Sequence, residues 1–187
     1  REGPKTLTEM LEVHKQWIAT AGRQGKQMDL SGFDLRDIDD LGQYPLTAIR
    51  AVKATFLGLR LEKANIQSAK LDYSDLRDCD LTEADLRGSS LKGVHLSRAD
   101  LTGANFGPLK FDAPDGQGVR LQRVNLSGAS LKFCILKDCD LRDSILMGVD
   151  MSNTNLSGCD LRRADLTGAD LKGSNLEDAL TEGAIIR

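Results

Sequence analysis

Residues 159–176 read CDLRRADLTGADLKGSNL, and this stretch decides the fold. A leucine returns at every fifth position, with a small residue two places before it; the leucines are Leu161, Leu166, Leu171 and Leu176. An α-helix repeats every 3.6 residues and a strand every two, so neither keeps a five-residue stripe on one side. The period instead predicts a coil in which each five-residue unit turns one corner.

The same register runs through most of the chain. It begins at Met28 and reaches Ile186, with one inserted residue between Arg36 and Leu41. The units ADLRG, ADLTG, ANFGP, VNLSG, CDLRR and ADLKG resemble A(D/N)LXX, the signature of the pentapeptide-repeat family. The resemblance covers residues 28–187. It implies an all-β solenoid, a right-handed quadrilateral β-helix with four units in each coil and about eight coils, stacked at ordinary strand spacing.

Composition and charge set the outer bounds on function. The chain has 187 residues, 40% of them hydrophobic and few aromatic, which suits one domain with a core of leucine and alanine. A net charge of -3 is too small to predict direct nucleic-acid binding or an anionic membrane partner. No window approaches the roughly 18 apolar residues of a membrane span, and no secretion signal is visible. We therefore expect a cytoplasmic protein.

Residues 6–24 are predicted to form an N-terminal capping helix. Apolar residues recur there at helical spacing, and Thr6 with Glu9 forms a capping-box pattern. The helix face that contains Trp17 is expected to cover the first core layer, whose strand edges would otherwise be exposed. A partner-binding helix is the alternative. Residues 1–5 fit no pattern and are expected to be disordered or a cloning remnant.

Counting by twenties predicts which residues stack on successive coils. One interior column then contains Leu101, Leu121 and Leu141, and Val119 is the small inward partner of Leu121. The outward residues before these leucines form a predicted carboxylate column, interrupted by Arg120, that consists of Asp80, Asp100, Asp140 and Asp160. Such carboxylates could serve catalysis or cation binding, but we favour the interpretation that they bind backbone N–H groups at the corners.

All four cysteines occupy the small inward position of a unit. The pair Cys134 and Cys139 lacks the spacing and the histidine neighbours of a zinc site. We expect four reduced, buried thiols, with Cys139 and Cys159 stacked on each other.

A loop insertion is predicted near residues 112–118, where turn residues replace the repeat and no leucine stands at position 116. On the following coil Phe133 and Ile135 occupy outward positions, which is unusual for large apolar side chains. The loop, with Asp115, is expected to fold back over them, and His95 is expected to border the same spot. This surface is the best local candidate for a partner site, with structural cover as the alternative.

The last coil is expected to present Ile185 and Ile186 on an uncovered apolar end. No helix follows in the sequence to cover it. An open apolar end with unpaired strand edges associates with something. Two predictions follow with equal weight: a homodimer through this end, or a further C-terminal domain of a longer chain.

The sequence contains no nucleophile with a base, no phosphate loop and no metal-binding cluster. We therefore predict no catalytic residues, no metal and no cofactor. The leading hypothesis is a non-catalytic scaffold that binds another protein, of unknown identity, through a flat face or the loop at 112–118. The family resemblance supplies an alternative, a DNA-mimicking protein that binds gyrase, like the quinolone-resistance pentapeptide proteins. DNA mimicry needs a continuous negative field, and here the acidic column lies among arginines.

Overall fold

The computed structural model describes residues 6–187, and most of this range forms one repeating ladder. Single-residue parallel bridges join residues that lie twenty apart in sequence, for example Arg50 with Lys70 and Lys70 with Ser90. Since each bridge places one five-residue unit directly over another, the chain winds as a coil with four units in each turn. The stacking by twenties that the repeat predicts is confirmed over these turns.

Each turn has four faces, which we number by the outward residues that form the bridges. Face 1 carries Lys70, Ser90, Asn125 and Ile145. Face 2 carries Asp75, His95, Ser130 and Asp150. Face 3 carries Asp80, Asp100, Ile135 and Asn155. Face 4 carries Asp85, Asn105, Asp140 and Asp160, and two-residue corners join successive faces.

The number of turns is slightly smaller than predicted. Face 1 has eight bridge positions from Asp29 to Ile185, so the ladder makes seven full turns where the sequence predicted about eight. The first turn is one residue longer than the others, because Asp29 bridges Arg50. This confirms the predicted insertion at 36–41, and the same turn contains a short 3₁₀-helix, Leu41–Gln43.

An antiparallel hairpin interrupts the ladder between face 4 and face 1. Its strands are β1, Leu109–Asp112, and β2, Val119–Gln122. Asn105 and Asp140 still bridge each other although thirty-five residues separate them, fifteen more than the usual twenty. The ladder therefore closes around the root of the hairpin, and the predicted loop at 112–118 is the turn of a longer excursion. These fifteen residues equal three quarters of a turn and account for most of the difference from the predicted number.

The central residue of each unit fills the interior. Leu81, Leu101, Leu141 and Leu161 are at most 1% exposed. Backbone hydrogen bonds tie each turn to the next, as from Leu81 N to Asp100 O at 2.8 Å. Each unit thus contributes one large residue and one small residue to a continuous core.

The four cysteines lie in the small inward positions, and all are free and buried. Each thiol donates to a backbone carbonyl, as from Cys134 Sγ to Leu96 O at 2.8 Å. Burial raises the pKa of Cys79 and of Cys134 to about 12, so both thiols are protonated near neutral pH. Cys139 and Cys159 contact each other on face 4, and burial raises the pKa of Cys139 well above its usual value. The predicted neighbours are confirmed.

The corners are tight turns whose second residue takes a left-handed φ. Glycine is the most frequent single residue type at this place, but Tyr73 and Phe133 occupy it with φ of 61° and 60°. A left-handed φ costs an L residue conformational energy that glycine does not lose. Many corners are also stabilised by the aspartate or asparagine before the central residue, as where Thr82 N donates to Asp80 Oδ1 at 3.0 Å.

The α-helix, α1, spans Leu7–Ala19. Its N terminus is capped by Thr6, whose Oγ1 accepts from Glu9 N at 3.2 Å, as the capping-box pattern predicts. It ends before the predicted boundary at residue 24 because Ala21 and Gly22 take left-handed φ values. Within residues 6–187 no helix has the length and apolar character needed to cross a membrane.

The helix packs on the first turn of the ladder through Leu11 and His14, which are both buried. Nδ1 of His14 accepts from Met28 N at 3.0 Å, so Nε2 donates to Thr47 O at 2.9 Å and the imidazole is neutral. Burial lowers the pKa of His14. The Trp17 ring stacks on the imidazole, with ring centroids 5.6 Å apart.

Candidate functional site

The four predicted column carboxylates do not form one column. Asp80 and Asp100 bridge each other on face 3, whereas Asp140 and Asp160 bridge each other on face 4. The hairpin adds fifteen residues, which equal three units, so each later residue lies on a different face from the one that counting by twenties assigns. On face 3, the residue that bridges Asp100 from the next turn is Ile135.

These carboxylates are bound within their own corners. On face 3, Asp100 accepts from Thr102 N at 3.0 Å, and Asp80 makes the equivalent bond. On face 4, Arg162 Nη2 lies 2.7 Å from Asp160 Oδ2, and Asp140 pairs in the same way with its arginine. The hydrogen bond from Arg162 lowers the pKa of Asp160. The carboxylates therefore stabilise corners, as the favoured interpretation expected.

Phe133 and Ile135 lie on the side of the coil away from the hairpin. Phe133 stands in the corner between faces 2 and 3, which we call the Phe133 corner, and Ile135 follows on face 3. The hairpin leaves the diagonally opposite corner, between faces 4 and 1, which we call the hairpin corner. The expectation that the loop covers these two side chains is wrong, because 56% of Phe133 and 41% of Ile135 remain exposed.

His95 and Asp115, the other two residues of the predicted partner surface, are also far apart in the fold. His95 is exposed on face 2 and bridges Ser130, so it adjoins the Phe133 corner. Asp115 lies in the hairpin turn, where its Oδ1 accepts from Gln117 N at 3.0 Å. The structure thus separates the predicted surface into two regions at opposite corners.

The hairpin has two chemically different sides. Directly paired residues of an antiparallel ladder point to the same side. The first side therefore carries Leu109, Phe111, Arg120 and Gln122. The second side carries Lys110, Asp112, Val119 and Leu121.

The first side of the hairpin rests on the preceding turns of the coil. Gln122 Nε2 donates to Gly88 O and lies 3.3 Å from Ser68 Oγ. Leu109 lies over the same glycine, where an added Cβ would come within 2.7 Å of Leu109 Cδ1. The absence of a side chain at Gly88 leaves room for this contact.

The second side of the hairpin forms one wall of a cleft, which we call the hairpin cleft. Its volume is about 390 Å³. The hairpin wall and its root contribute Pro108, Lys110, Val119 and Leu121. The opposite wall belongs to the next two turns of the hairpin corner and consists of Arg142, Asp143 and Arg163.

Both arginines of the hairpin cleft are held in place by carboxylates. Arg163 Nε donates to Asp143 Oδ1 at 3.0 Å, and this hydrogen bond raises the pKa of the guanidinium. Arg142 Nη2 donates to Asp140 Oδ2 at 2.7 Å. Both guanidiniums remain partly open to solvent, with side-chain exposures of 40% for Arg142 and 56% for Arg163.

Sequence reasoning missed this cleft because it placed Val119 and Leu121 in the core. In the structure they are 61% and 45% exposed on β2. A signal was present: apolar and polar residues alternate in LKFD and VRLQ on both sides of an Asp-Gly turn, which is typical of a β-hairpin. The five-residue register, in which position 121 is a leucine, concealed that pattern.

Ile185 and Ile186 lie on the last turn. Ile185 bridges Asp165 on face 1, and the two isoleucines are 40% and 53% exposed. Leu176 and Leu180 on the same turn are 37% and 45% exposed. This end of the described chain is therefore apolar, as the sequence predicts, and what covers it stays a prediction.

A family model for pentapeptide repeats matches this chain with eight copies, over residues 52–82, 79–107, 117–143 and 144–180. The unmatched stretch between residues 107 and 117 falls in the hairpin. No curated protein matches the chain.

Three solved structures illustrate the likeness. HetL, a pentapeptide repeat protein involved in heterocyst differentiation regulation in the cyanobacterium Nostoc sp. strain PCC 7120, is 31% identical, with 86% of this chain and 62% of that chain covered and a TM-score of 0.23. Rfr23 from the cyanobacterium Cyanothece 51142 is 18% identical, with 86% of each chain covered and a TM-score of 0.32. QnrB1, a plasmid-mediated fluoroquinolone resistance protein, is 17% identical, with 83% of this chain and 92% of that chain covered and a TM-score of 0.26. The chain thus spans less than two thirds of the HetL structure.

Proposed function

Because this chain belongs to the pentapeptide-repeat family, we propose that it is a non-catalytic scaffold that binds another protein through its hairpin. Proteins of this family are right-handed quadrilateral β-helices, and we assign the same handedness to the coil described here. We also assign α1 the role of a cap, because Leu11 and His14 pack on the first turn. These assignments give the molecule a rigid rod and one protruding element.

The hairpin carries the proposal because the coil does not need it. Ser90 bridges Asn125 and Asn105 bridges Asp140 across the insertion, so the ladder is continuous without the intervening residues. The hairpin nevertheless exposes large apolar side chains to solvent, namely Phe111, Val119 and Leu121. An exposed apolar element held on a rigid frame is typical of a binding surface.

The experiment removes the hairpin and leaves the coil. Deletion of residues 108–122 joins Gly107 to Arg123 and restores the twenty-residue spacing between Ser90 and Asn125. Tagged wild type and deletion variant are compared by affinity capture from the source organism, and each captured protein is then purified and titrated against both. We expect a partner that binds the wild type and loses at least about ten-fold in affinity for the deletion variant. A partner bound equally by both forms overturns the proposal.

The Phe133 corner is a second candidate surface. Phe133 and Ile135 are exposed neighbours at one corner and the adjoining face, and no hairpin covers them. The double variant Phe133→Ser, Ile135→Ser in the same titration assigns the partner to one corner or the other. Lys132→Ala is the control, since this lysine lies in the same corner and is paired only loosely, at 3.9 Å, with Asp150.

The gyrase-binding DNA mimic remains the alternative function. What speaks against it is the pairing of charges: the carboxylates of face 4 are neutralised by the arginines two residues later, as in Asp140 with Arg142 and Asp160 with Arg162. A DNA-like field needs uncompensated negative charge along the rod. A supercoiling assay with gyrase decides the matter, because inhibition of supercoiling by the protein would favour the mimic over the scaffold.

Self-association through the apolar end is a separate proposal about partners. Ile186 is 53% exposed beside Leu176 and Leu180. A dimer through this end requires about twice the chain mass of 20.4 kDa in light scattering. The Ile185→Lys, Ile186→Lys variant should return that mass to the monomer value. A wild-type monomer at high concentration would exclude the dimer and leave a further covering domain as the alternative.

A further inference from the structure

The hairpin cleft contains groups that recognise one kind of ligand. We propose that it binds an acidic, apolar peptide segment, in which carboxylates alternate with aliphatic side chains, presented by the partner protein. This inference rests on the proposed function and specifies which part of the hairpin the partner contacts and with what chemistry.

The apolar half of the recognition comes from β2. Val119 and Leu121 stand on the second side of the hairpin and are 61% and 45% exposed. They line the cleft together with Pro108, so the hairpin wall offers an apolar strip of three residues. Covering two such side chains with aliphatic groups of a ligand removes apolar surface from water, at about 25 cal/mol per Å².

The charged half of the recognition comes from three cations. Lys110 is exposed beside Leu121 on the hairpin wall, and Arg142 and Arg163 face it across the cleft. Within residues 6–187 the hydrogen bonds of both guanidiniums to carboxylates use Nε and Nη2. Nη1 of each arginine is therefore left to donate to a ligand carboxylate.

The arginines are also preorganised for binding. Asp140 and Asp143 hold them in one geometry before any ligand arrives, so little side-chain entropy is lost when a carboxylate binds. Asp143 is itself part of the cleft wall, but its side chain is only 14% exposed and is occupied by Arg163. A ligand in the cleft thus meets donors on both walls and an apolar strip on the hairpin wall.

The size of the cleft favours a segment over a folded surface. At about 390 Å³ it lies near the lower end of the range for small-ligand sites, roughly 300–1,000 Å³. A few residues of an extended peptide fit such a space, and a protein domain does not. An extended segment also suits a wall made by a β-strand, along which alternate side chains point into the cleft.

Fluorescence anisotropy with short peptides tests the proposal. The probe is a fluorescein-labelled heptapeptide in which glutamate alternates with valine and leucine. One control peptide has lysine in place of glutamate, and another has serine in place of valine and leucine. We expect the wild type to bind the probe at least about ten-fold more tightly than either control, with affinity falling as salt is raised.

Matched variants assign the binding to the cleft. Lys110→Glu and Leu121→Ser should each weaken probe binding by at least about ten-fold, because one reverses a charge and the other removes the apolar contact. Lys132→Glu, which places the same change in the Phe133 corner, should alter it by less than about two-fold. Thermal denaturation should show all three variants folded, since the changed side chains are outside the core.

Several results would overturn the inference: no saturable binding of the probe to the wild type, equal binding of all three peptides, or unchanged binding after either cleft substitution. Its failure is distinguishable from failure of the proposed function. If the hairpin deletion loses the captured partner while the probe does not bind, the hairpin function stands and the acidic, apolar ligand is wrong. If the deletion variant keeps every partner, the proposed function itself is wrong.

Discussion

Leu121 and Leu141 are separated by twenty residues and occupy the same place in the five-residue register, yet their environments differ. Leu141 is completely buried in the coil, whereas Leu121 is 45% exposed on the hairpin. The difference shows that the period specifies the interior only where successive units stack without interruption. Once the chain leaves the ladder, the period-two alternation of a hairpin decides which side chains are exposed.

The largest expected effect comes from truncating these two leucines. Leu141→Ala leaves a cavity between turns and should lower the free energy of unfolding by about 2–5 kcal/mol. Leu121→Ala, chemically the same change, should lower it by less than about 1 kcal/mol, because nearly half of the residue is already exposed and no core cavity forms. Urea denaturation of both variants measures the difference. Equal midpoints for the two would contradict the separation of coil and hairpin.

The second prediction concerns His14, which is buried between the helix and the first turn of the coil. His14 is buried and neutral, with its ring bonded to the backbone of Met28 and Thr47, and burial lowers its pKa from the usual 6.5. The unfolded chain therefore takes up a proton at a higher pH than the folded chain does. Stability should fall as pH drops from about 6.5 toward the folded pKa, with a slope of at most about 1.4 kcal/mol per pH unit.

Urea denaturation at several pH values between 7.5 and 5 measures this slope. His14→Gln should be less stable than wild type at pH 7.5, since buried backbone groups lose their partner. It should also lack the pH-dependent loss in this window. His95→Gln, which changes an exposed histidine on face 2, should keep it. A wild-type slope retained in His14→Gln would show that another group titrates.

A smaller effect is expected at two corners with the same backbone geometry. Phe133 and Tyr73 both have φ near 60°, and both are 56% exposed. The Tyr73 ring lies over Gly93, where an added Cβ would come within 2.5 Å of it, whereas the Phe133 side chain has no glycine at the equivalent place on the next turn. The two side chains are equally exposed, so the comparison isolates what the ring contact with Gly93 contributes at Tyr73.

Phe133→Gly should raise the free energy of unfolding by about 1 kcal/mol, because glycine accepts a left-handed φ without steric cost. Tyr73→Gly should give a smaller gain or a loss. Thermal denaturation of both variants, with Lys132→Ala as a neutral control, measures the difference. Destabilisation by Phe133→Gly would mean that the phenylalanine stabilises the fold and would weaken its candidacy as a binding residue.

Most of the coil could be predicted from the sequence because its rule is local. Each unit carries its own large residue, small residue and corner residues, so Leu161 or Cys159 is placed without knowledge of distant parts of the chain. The inserted residue at 36–41 is visible for the same reason, since it breaks a simple count. The hydrogen bonds that Asp100 and Asp160 accept at their corners can also be predicted, because each donor is only two residues away.

The candidate site could not be predicted in the same way because it depends on how many residues leave the ladder. The sequence predicts a seven-residue loop at 112–118. In the structure fifteen residues leave the ladder, so counting by twenties assigns every later unit to the wrong face. Asp140 was thereby assigned to the face of Asp100, and Ile135 was placed beneath the loop. The cleft adds a second difficulty, since its walls, at Leu121 and Arg163, are far apart in sequence and meet only through the coil.

The smallest expected effect is the most informative about the hairpin. Deletion of residues 108–122 removes the contact of Leu109 with Gly88 and the hydrogen bonds of Gln122, each a modest contribution. It also shortens the connection that must be closed on folding, which offsets part of that loss. We therefore expect the free energy of unfolding to change by less than about 1 kcal/mol, measured by urea denaturation beside Leu141→Ala. The new corner places Arg123 where a left-handed φ is required, a conformation that Arg98 and Arg163 already adopt at corners of this coil. If the deletion variant instead lost as much stability as Leu141→Ala, the hairpin would be part of the framework, and exposure of Val119 and Leu121 could no longer be taken as a sign of binding.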